Sequence, residues 1–348
     1  MSDMKYMKCG SCKRMLDMSE STSNIVFPGF IKDCEQKLTK KDIQKNKKNF
    51  SDKNREVNKM NECELREKLS ELNLEERGIL EILQKRLKHF YKINQFSEAD
   101  TKDSDNLNLF YDNIVVIDFE ATCEEVKPLG YKHEIIEFPA VLINVQSMKI
   151  ISEFHSYIQP VINPKLTDFC TQLTGISQEN VENSPMFPEV MHQFENWLKE
   201  NNLNFEGGVC RSFAIATDSP CDMGYFLLQH CNDSLHSFPE WAKHWINIKK
   251  GFCNFYKTGR EPLSHMLEKL GLEFEGRPHS GMDDARNIAR IVITLLKDGC
   301  YLRLNEKIQL DEDGKPDAGQ RHVCNLTNED FEHLRDIKKD KITEINED

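Results

Sequence analysis

Three short stretches of this 348-residue chain hold side chains that could do chemistry together. The first is Asp118-x-Glu120, at the end of the apolar run Ile114-Val-Val-Ile. In an extended strand residues i and i+2 face the same side, so the two carboxylates present four oxygens to one spot. Neighbouring anions raise one another's pKa unless a cation intervenes, and a hard divalent ion such as Mg²⁺ or Mn²⁺ suits carboxylate oxygens. The second is His279-x-x-x-x-Asp284, within Arg-Pro-His-Ser-Gly-Met-Asp-Asp. Gly276, Pro278 and Gly281 mark a loop, and Ile288, Ile291, Val292, Leu295 and Leu296 mark the helix that follows. His279 then lies on the loop and can take a proton from water near neutrality. Asp284 falls in the first helical turn, where an acid also suits the helix dipole. The third is Asp222, which opens a helical pattern after the apolar run 213–216. It fits an N-cap as well as a metal ligand, and Asp218 is a rival four residues earlier.

The elements that position these residues follow from periodicity. Strands are expected at 114–119, 140–145, 153–158, 209–216 and 245–248, and helices at 188–200, 223–231, 262–270 and 282–297. Alternation of strands and helices argues for an α/β domain with a central sheet over 113–305. Residues 306–348 read as an acidic tail with at most one short helix near 328–338. Residues 94–112 read as a polar linker.

Upstream, residues 1–58 are expected to be disordered, because 39–59 has almost no apolar side chains to offset its conformational entropy. Residues 59–93 carry two helical faces. Leu65, Leu69 and Leu72 form one; Ile79, Leu80, Leu83, Leu87, Phe90 and Tyr91 form the other. Lys85, Arg86, Lys88 and Lys92 make the end of the second helix basic. Helix dipoles favour cations there too, so the charges alone do not establish a binding face.

Composition bounds the class. Net charge is −12, against a general polyanion-binding surface; nucleic acid would be held through local basic patches or bridging metal ions. No run of about 18 or more apolar residues exists, so no membrane span is implied. The twelve cysteines are mostly scattered, which reads as reduced thiols in the cytoplasm or nucleus. Cys9-x-x-Cys12 lacks a second close pair for zinc, and a loose terminus is the better reading.

The order Asp-x-Glu, then Asp, then His-x4-Asp resembles the DEDDh exonuclease superfamily. IDFEATCEE, HEIIEFPAVLIN, DFCTQLTGIS and GRPHSGMDDARNIARI are similar to the Eri-type three-prime exoribonucleases, the three-prime histone mRNA exonuclease family, over roughly residues 60–305. LREKLSELNLEERGILEILQKRLKHFYK resembles that family's SAP nucleic-acid-binding module. The resemblance implies a ribonuclease H-like fold, a mixed sheet flanked by helices, behind a small all-α module. It implies a 3′→5′ exoribonuclease that releases nucleoside 5′-monophosphates with two Mg²⁺ ions, for which Mn²⁺ can substitute. Asp118 would bridge both metals, Glu120 and Asp284 would complete one site, Asp222 would support the other, and His279 would be the general base. Phe119, Glu120, Ala121, Thr122, Thr174, Gly175, Met223 and His279 would hold the terminal nucleotide. Lys85, Arg86, Lys88 and Lys92 would contact RNA phosphates.

Family substrates are the histone mRNA stem-loop tail, small interfering RNA overhangs and the 5.8S ribosomal RNA 3′ end. The ribosome or the histone stem-loop-binding protein are implied partners, and cytoplasm, nucleus and nucleolus the implied compartments. One departure is Cys221, where the family has tryptophan before the third Asp; this puts some base stacking in doubt. Two alternatives stay open: a DNA-directed 3′→5′ exonuclease, and a catalytically silent RNA-binding protein.

Overall fold

In the computed structural model residues 6–8, 15–17, 40–96, 111–203, 213–310 and 323–326 are described. The chain divides into two units, Met1–Arg55 and Glu56–Asp348. The first holds a hairpin of β1 (Tyr6–Lys8) and β2 (Met15–Asp17), with Met7 opposite Leu16, and most of helix α1 (Lys40–Lys59). The disorder expected through residue 58 therefore does not hold for 40–58. That stretch contains no Gly or Pro, and its six lysines propagate a helix without needing burial. Cys9 and Cys12 lie outside the described residues.

In the second unit α2 (Glu62–Glu71) begins at Asn61, whose side chain and that of Glu64 cap each other's backbone N–H. Helix α3 (Leu80–Phe96) folds back on it, and Leu83 and Leu87 bury against Val57, Leu65 and Leu69. Ile82 points the other way, into the core of the α/β domain.

That domain is built on a mixed sheet. β3 (Asn113–Ile117) pairs antiparallel with β5 (Ile135–Asn144), and β5 pairs with β6 (Lys149–Tyr157). On its other edge β3 is parallel to β7 (Phe213–Thr217), which is parallel to β8 (His244–Asn247). The short β4 (Glu120–Ala121) resumes pairing with β5 after a break at Asp118 and Phe119. Burial alternates as a two-faced strand requires. Val115 and Ile117 face one core with α6 (Phe187–Glu200), and Ile114 and Val116 face another with α10 (Gly281–Lys297). Smaller helices complete the layers: α4 (Asp168–Thr174), α5 (Gln178–Glu182), α7 (Leu228–Asp233), α8 (Ile248–Tyr256) and α9 (Leu263–Leu270).

The acidic tail expected from residue 306 is corrected at its start. β9 (Glu306–Ile308) and β10 (Val323–Asn325) extend the sheet beyond β8. Their polar sequence hid this, because the buried Glu306 is satisfied by hydrogen bonds from Trp245 Nε1 at 3.1 Å and Asn247 Nδ2 at 3.0 Å. The helix expected near 328–338 lies outside the described residues. No described helix is long and apolar enough to cross a membrane.

Candidate active site

The three parallel strands β3, β7 and β8 end side by side, and each delivers a charged residue just beyond its C-terminal end: Asp118, Asp218 and Lys249. Open α/β sheets commonly place their sites at this edge. A cleft of about 500 Å³ opens there, and Asp118, Glu120, Asp222, His279 and Asp284 all line it. The five residues picked out in the sequence therefore converge.

Two of the carboxylates, Asp222 and Asp284, are held by backbone N–H groups. Asp222 opens a π-helical turn (Asp222–Leu227) that runs into α7, and its Oδ1 accepts the Phe119 N–H at 3.0 Å. This bond fixes the strand break from which Asp118 and Glu120 line the cleft. His279 adopts φ 64°, the left-handed region, and donates its N–H to Asp284 Oδ2 at 2.7 Å. A non-Gly residue there is uncommon and marks a constrained position. Gly281 lets the start of α10 press against the strand end. A Cβ there would sit 2.9 Å from the Asp118 carbonyl oxygen and 3.0 Å from Glu137 Oε2. The Gly281 N–H donates to that same Glu137 oxygen at 3.0 Å.

The carboxylates share a poorly solvated spot. Burial, then the charges of Asp222 and Asp284, hold the Asp118 carboxyl well above the usual range. Burial, then Asp284 and Glu137, push Glu120 up to about 9. Burial raises Asp222 to about 7, opposed by the Phe119 N–H, and Asp284 to about 7, opposed by the His279 N–H. Such a cluster stores repulsion that a divalent cation would relieve. A ring nitrogen of His279 and carboxylate oxygens of Glu120 and Asp284 lie within 4.8 Å of one another. The all-oxygen carboxylate set fits a hard divalent ion.

Among the expected nucleotide contacts, Phe119 and Ala121 line the cleft, and Leu173 supplies the wall from the end of α4. Thr122, Thr174 and Met223 are turned inward. Thr122 Oγ1 accepts the Glu134 N–H at 3.0 Å, Thr174 Oγ1 donates to the Cys170 carbonyl at 2.9 Å, and Met223 is fully buried. Gly175 is exposed at φ 77° and lies against the Arg277 guanidinium. Arg86 is a correction: it is 3% exposed and paired with Asp298, so it cannot reach RNA phosphate. Lys85 and Lys88 are half-buried and Lys92 is exposed.

Sequence reading missed Lys249, Glu137 and the aromatic wall of Phe226 and Phe274. Lys249 Nζ pairs with Asp218 Oδ2 at 2.9 Å inside the cleft. Asking which residues follow the ends of adjacent parallel strands would have found it. Asp218, the rival of Asp222, is thus neutralised by a cation, whereas Asp222 bonds to the strand break itself. Cys221 lines the cleft and is exposed.

A mixed sheet whose broken strand, π-turn and last helix gather four carboxylates and a histidine defines an exonuclease of the DEDDh type. Residues 115–292 match the sequence profile of the exonuclease family RNase T. The chain is 46% identical to 3′-5′ exoribonuclease 1 of Homo sapiens over 254 residues, 72% of this chain and 71% of that protein. Among solved structures, a 3′-exonuclease described in 3′-end-specific recognition of the histone mRNA stem-loop is 42% identical. It has a TM-score of 0.58 and covers 81% of this chain and 93% of its own. The nuclease domain of 3′hExo, a DEDDh family member bound to rAMP, is 46% identical at TM-score 0.55, covering 58% and 100%. The chain belongs to the Eri-type 3′→5′ exoribonuclease family. It is a divalent-metal-dependent hydrolase that cuts phosphodiester bonds from RNA 3′ ends.

Proposed function

We propose that this exoribonuclease trims short single-stranded 3′ tails beside RNA duplexes, with two Mg²⁺ ions for which Mn²⁺ can substitute. The observation that carries the reading is the single cleft lined by all five polar residues, in one unit with Lys85, Lys88 and Lys92 of α3. Asp118, Glu120 and Asp284 would hold one ion, and Asp118 and Asp222 the other. When bound, such ions would supply charge stabilisation for the attacking and leaving oxygens of the phosphodiester.

The chain's own groups do the rest. His279 takes the proton of the attacking water at a ring nitrogen, and its strained, Asp284-bonded backbone keeps the ring aimed. The backbone of 119–122 holds the terminal sugar, where the 2′-OH separates RNA from DNA. Leu173, Phe226 and Phe274 offer apolar surface for the terminal base. Lys85, Lys88 and Lys92 contact duplex phosphates, which positions the RNA without reading its sequence. Histone mRNA stem-loop tails, small interfering RNA overhangs and the 5.8S ribosomal RNA 3′ end are the substrates of this shape that the family resemblance suggests.

The test compares one hairpin with a single-stranded 3′ tail made as RNA, as DNA, and as RNA ending in a 2′-deoxynucleotide. Faster trimming of the all-RNA tail supports the reading. Equal rates on RNA and DNA tails would move the DNA-directed alternative to first place.

A further inference from the structure

Arg86 reads in the sequence as one of four basic residues on α3, yet it is buried where the other three are half-buried or exposed. Its guanidinium forks onto Asp298, with Nε to Oδ1 at 2.5 Å and Nη2 to Oδ2 at 2.8 Å. Its Nη1 donates to the carbonyls of Glu75 at 2.5 Å and Arg77 at 2.9 Å, which fixes the turn between α2 and α3. The Tyr256 hydroxyl donates to Asp298 Oδ2 at 2.6 Å. All three side chains are about 3% exposed. Around them Ile82 enters the nuclease core, the Ile79 N–H donates to the Lys269 carbonyl at 2.9 Å, and Gly271 lets the backbone at Gly78 approach.

Asp298 is the residue that closes α10. The other end of that helix carries Asp284 and follows His279. Its 17 residues span about 25 Å of rigid rod. Half-buried Lys85 sits at the same seam, with Lys88 and Lys92 near enough to act on it as like charges. Lys85 Nζ lies 4.5 Å from the Phe255 ring centroid, and Lys257, at the end of α8 on the nuclease side, acts on Lys85 as a neighbouring positive charge.

We propose that the Arg86–Asp298–Tyr256 clasp sets the reach of the enzyme: it holds the α3 lysine row at a constant distance from the cleft, so trimming halts at a set distance from a duplex. Arg86, Asp298 and Tyr256 are then positioning residues that determine product length. This rests on the reading above that the lysines contact duplex RNA.

Two variants test it. Arg86→Met with Asp298→Leu replaces the buried ions by apolar groups of similar size and keeps the seam filled. Arg86→Lys keeps the charge and loses the fork. Both are run with Mg²⁺ on unstructured RNA and on a 5′-labelled hairpin with a long 3′ tail, beside Lys88→Ala as a control for duplex contact. The expected result is hydrolysis of unstructured RNA within about twofold of wild type, since the cleft is untouched. On the hairpin, the single wild-type stop spreads over several nucleotides in both variants. Adding Lys88→Ala spreads the wild-type stop and changes the clasp variants little. A sharp, unshifted stop in variants that melt at lower temperature would overturn the proposal and leave the clasp purely structural. So would an equal loss on unstructured RNA in both variants, which would tie the clasp to the cleft itself. If Lys88→Ala alone leaves the stop and the duplex affinity unchanged, the duplex-contact reading fails, and that outcome is separable from the other two.

Discussion

The Phe119 N–H and the Asp222 carboxylate, 103 residues apart, are joined by a 3.0 Å hydrogen bond that ties the third acidic motif to the break in the strand carrying the first. Asparagine keeps an acceptor for that N–H and removes the charge that burial disfavours. Asp222→Asn is therefore expected to abolish metal-dependent cleavage while raising metal-free stability by ~0.5–2 kcal/mol, the usual trade between a strained site and a stable fold. Thermal unfolding in EDTA and single-turnover kinetics check the two halves separately. Lower stability in EDTA would show that the hydrogen bond outweighs the burial of the charge.

The acidity of the cluster gives a pH prediction. Asp222 and Asp284 are raised to about 7 and Glu120 to about 9 in the folded protein. Groups raised in this way stabilise the fold fully below their unfolded pKa of about 4, and that stability is lost as pH climbs through 7 and 9. A divalent cation takes the place of the protons. The gain in melting temperature on adding Mg²⁺ should grow from pH 5 to pH 9. A constant gain across that range would contradict the clustering of charge.

His279 combines a chemical task with a strained backbone at φ 64°. His279→Gly should lose ~10²–10⁴ in rate, the usual worth of a general base. It should also gain about 1 kcal/mol of stability by relieving the left-handed conformation. His279→Ala should lose the rate without that gain. Equal melting temperatures for the two variants would sink the strain argument.

Gly281→Ala adds one methyl where α10 meets the strand end, 2.9 Å from the Asp118 carbonyl. Overpacking of this kind costs ~1–3 kcal/mol. The helix start must shift, moving Asp284 away from Glu120, so the rate should fall more steeply than the stability. A variant with normal kcat would show that the site tolerates looser geometry.

Lys88→Ala and Lys92→Ala should each flatten the salt dependence of duplex RNA binding by about one unit of log–log slope. Arg86, buried against Asp298, should not change it in the same way. Binding isotherms across a salt series decide this.

Strand and helix periods put Asp118 and Glu120 at a strand end and Asp284 in a first helical turn, but it was the resemblance of their order, with Asp222 and His279, to the DEDDh pattern that made the candidate site legible. Asp222 was legible as a helix opener, though its partner Phe119 was not, since no local pattern announces a bond across 103 residues. Arg86 was misread for the same reason: four basic residues on one helix look alike until the fold brings Asp298 to one of them. α1 was missed because low apolar content was weighed above the absence of Gly and Pro. β9 was missed because its buried Glu306 finds donors on Trp245 and Asn247, which only the assembled sheet supplies.

Metal-dependent trimming by these carboxylates is read on a 5′-labelled RNA hairpin with a short 3′ tail, incubated with wild type in Mg²⁺, wild type in EDTA, and Asp118→Ala in Mg²⁺. A ladder shortening one nucleotide at a time from the 3′ end is expected in the first reaction, and intact RNA in the other two. A ladder that persists in EDTA or with Asp118→Ala would contradict a metal-dependent site built on these carboxylates.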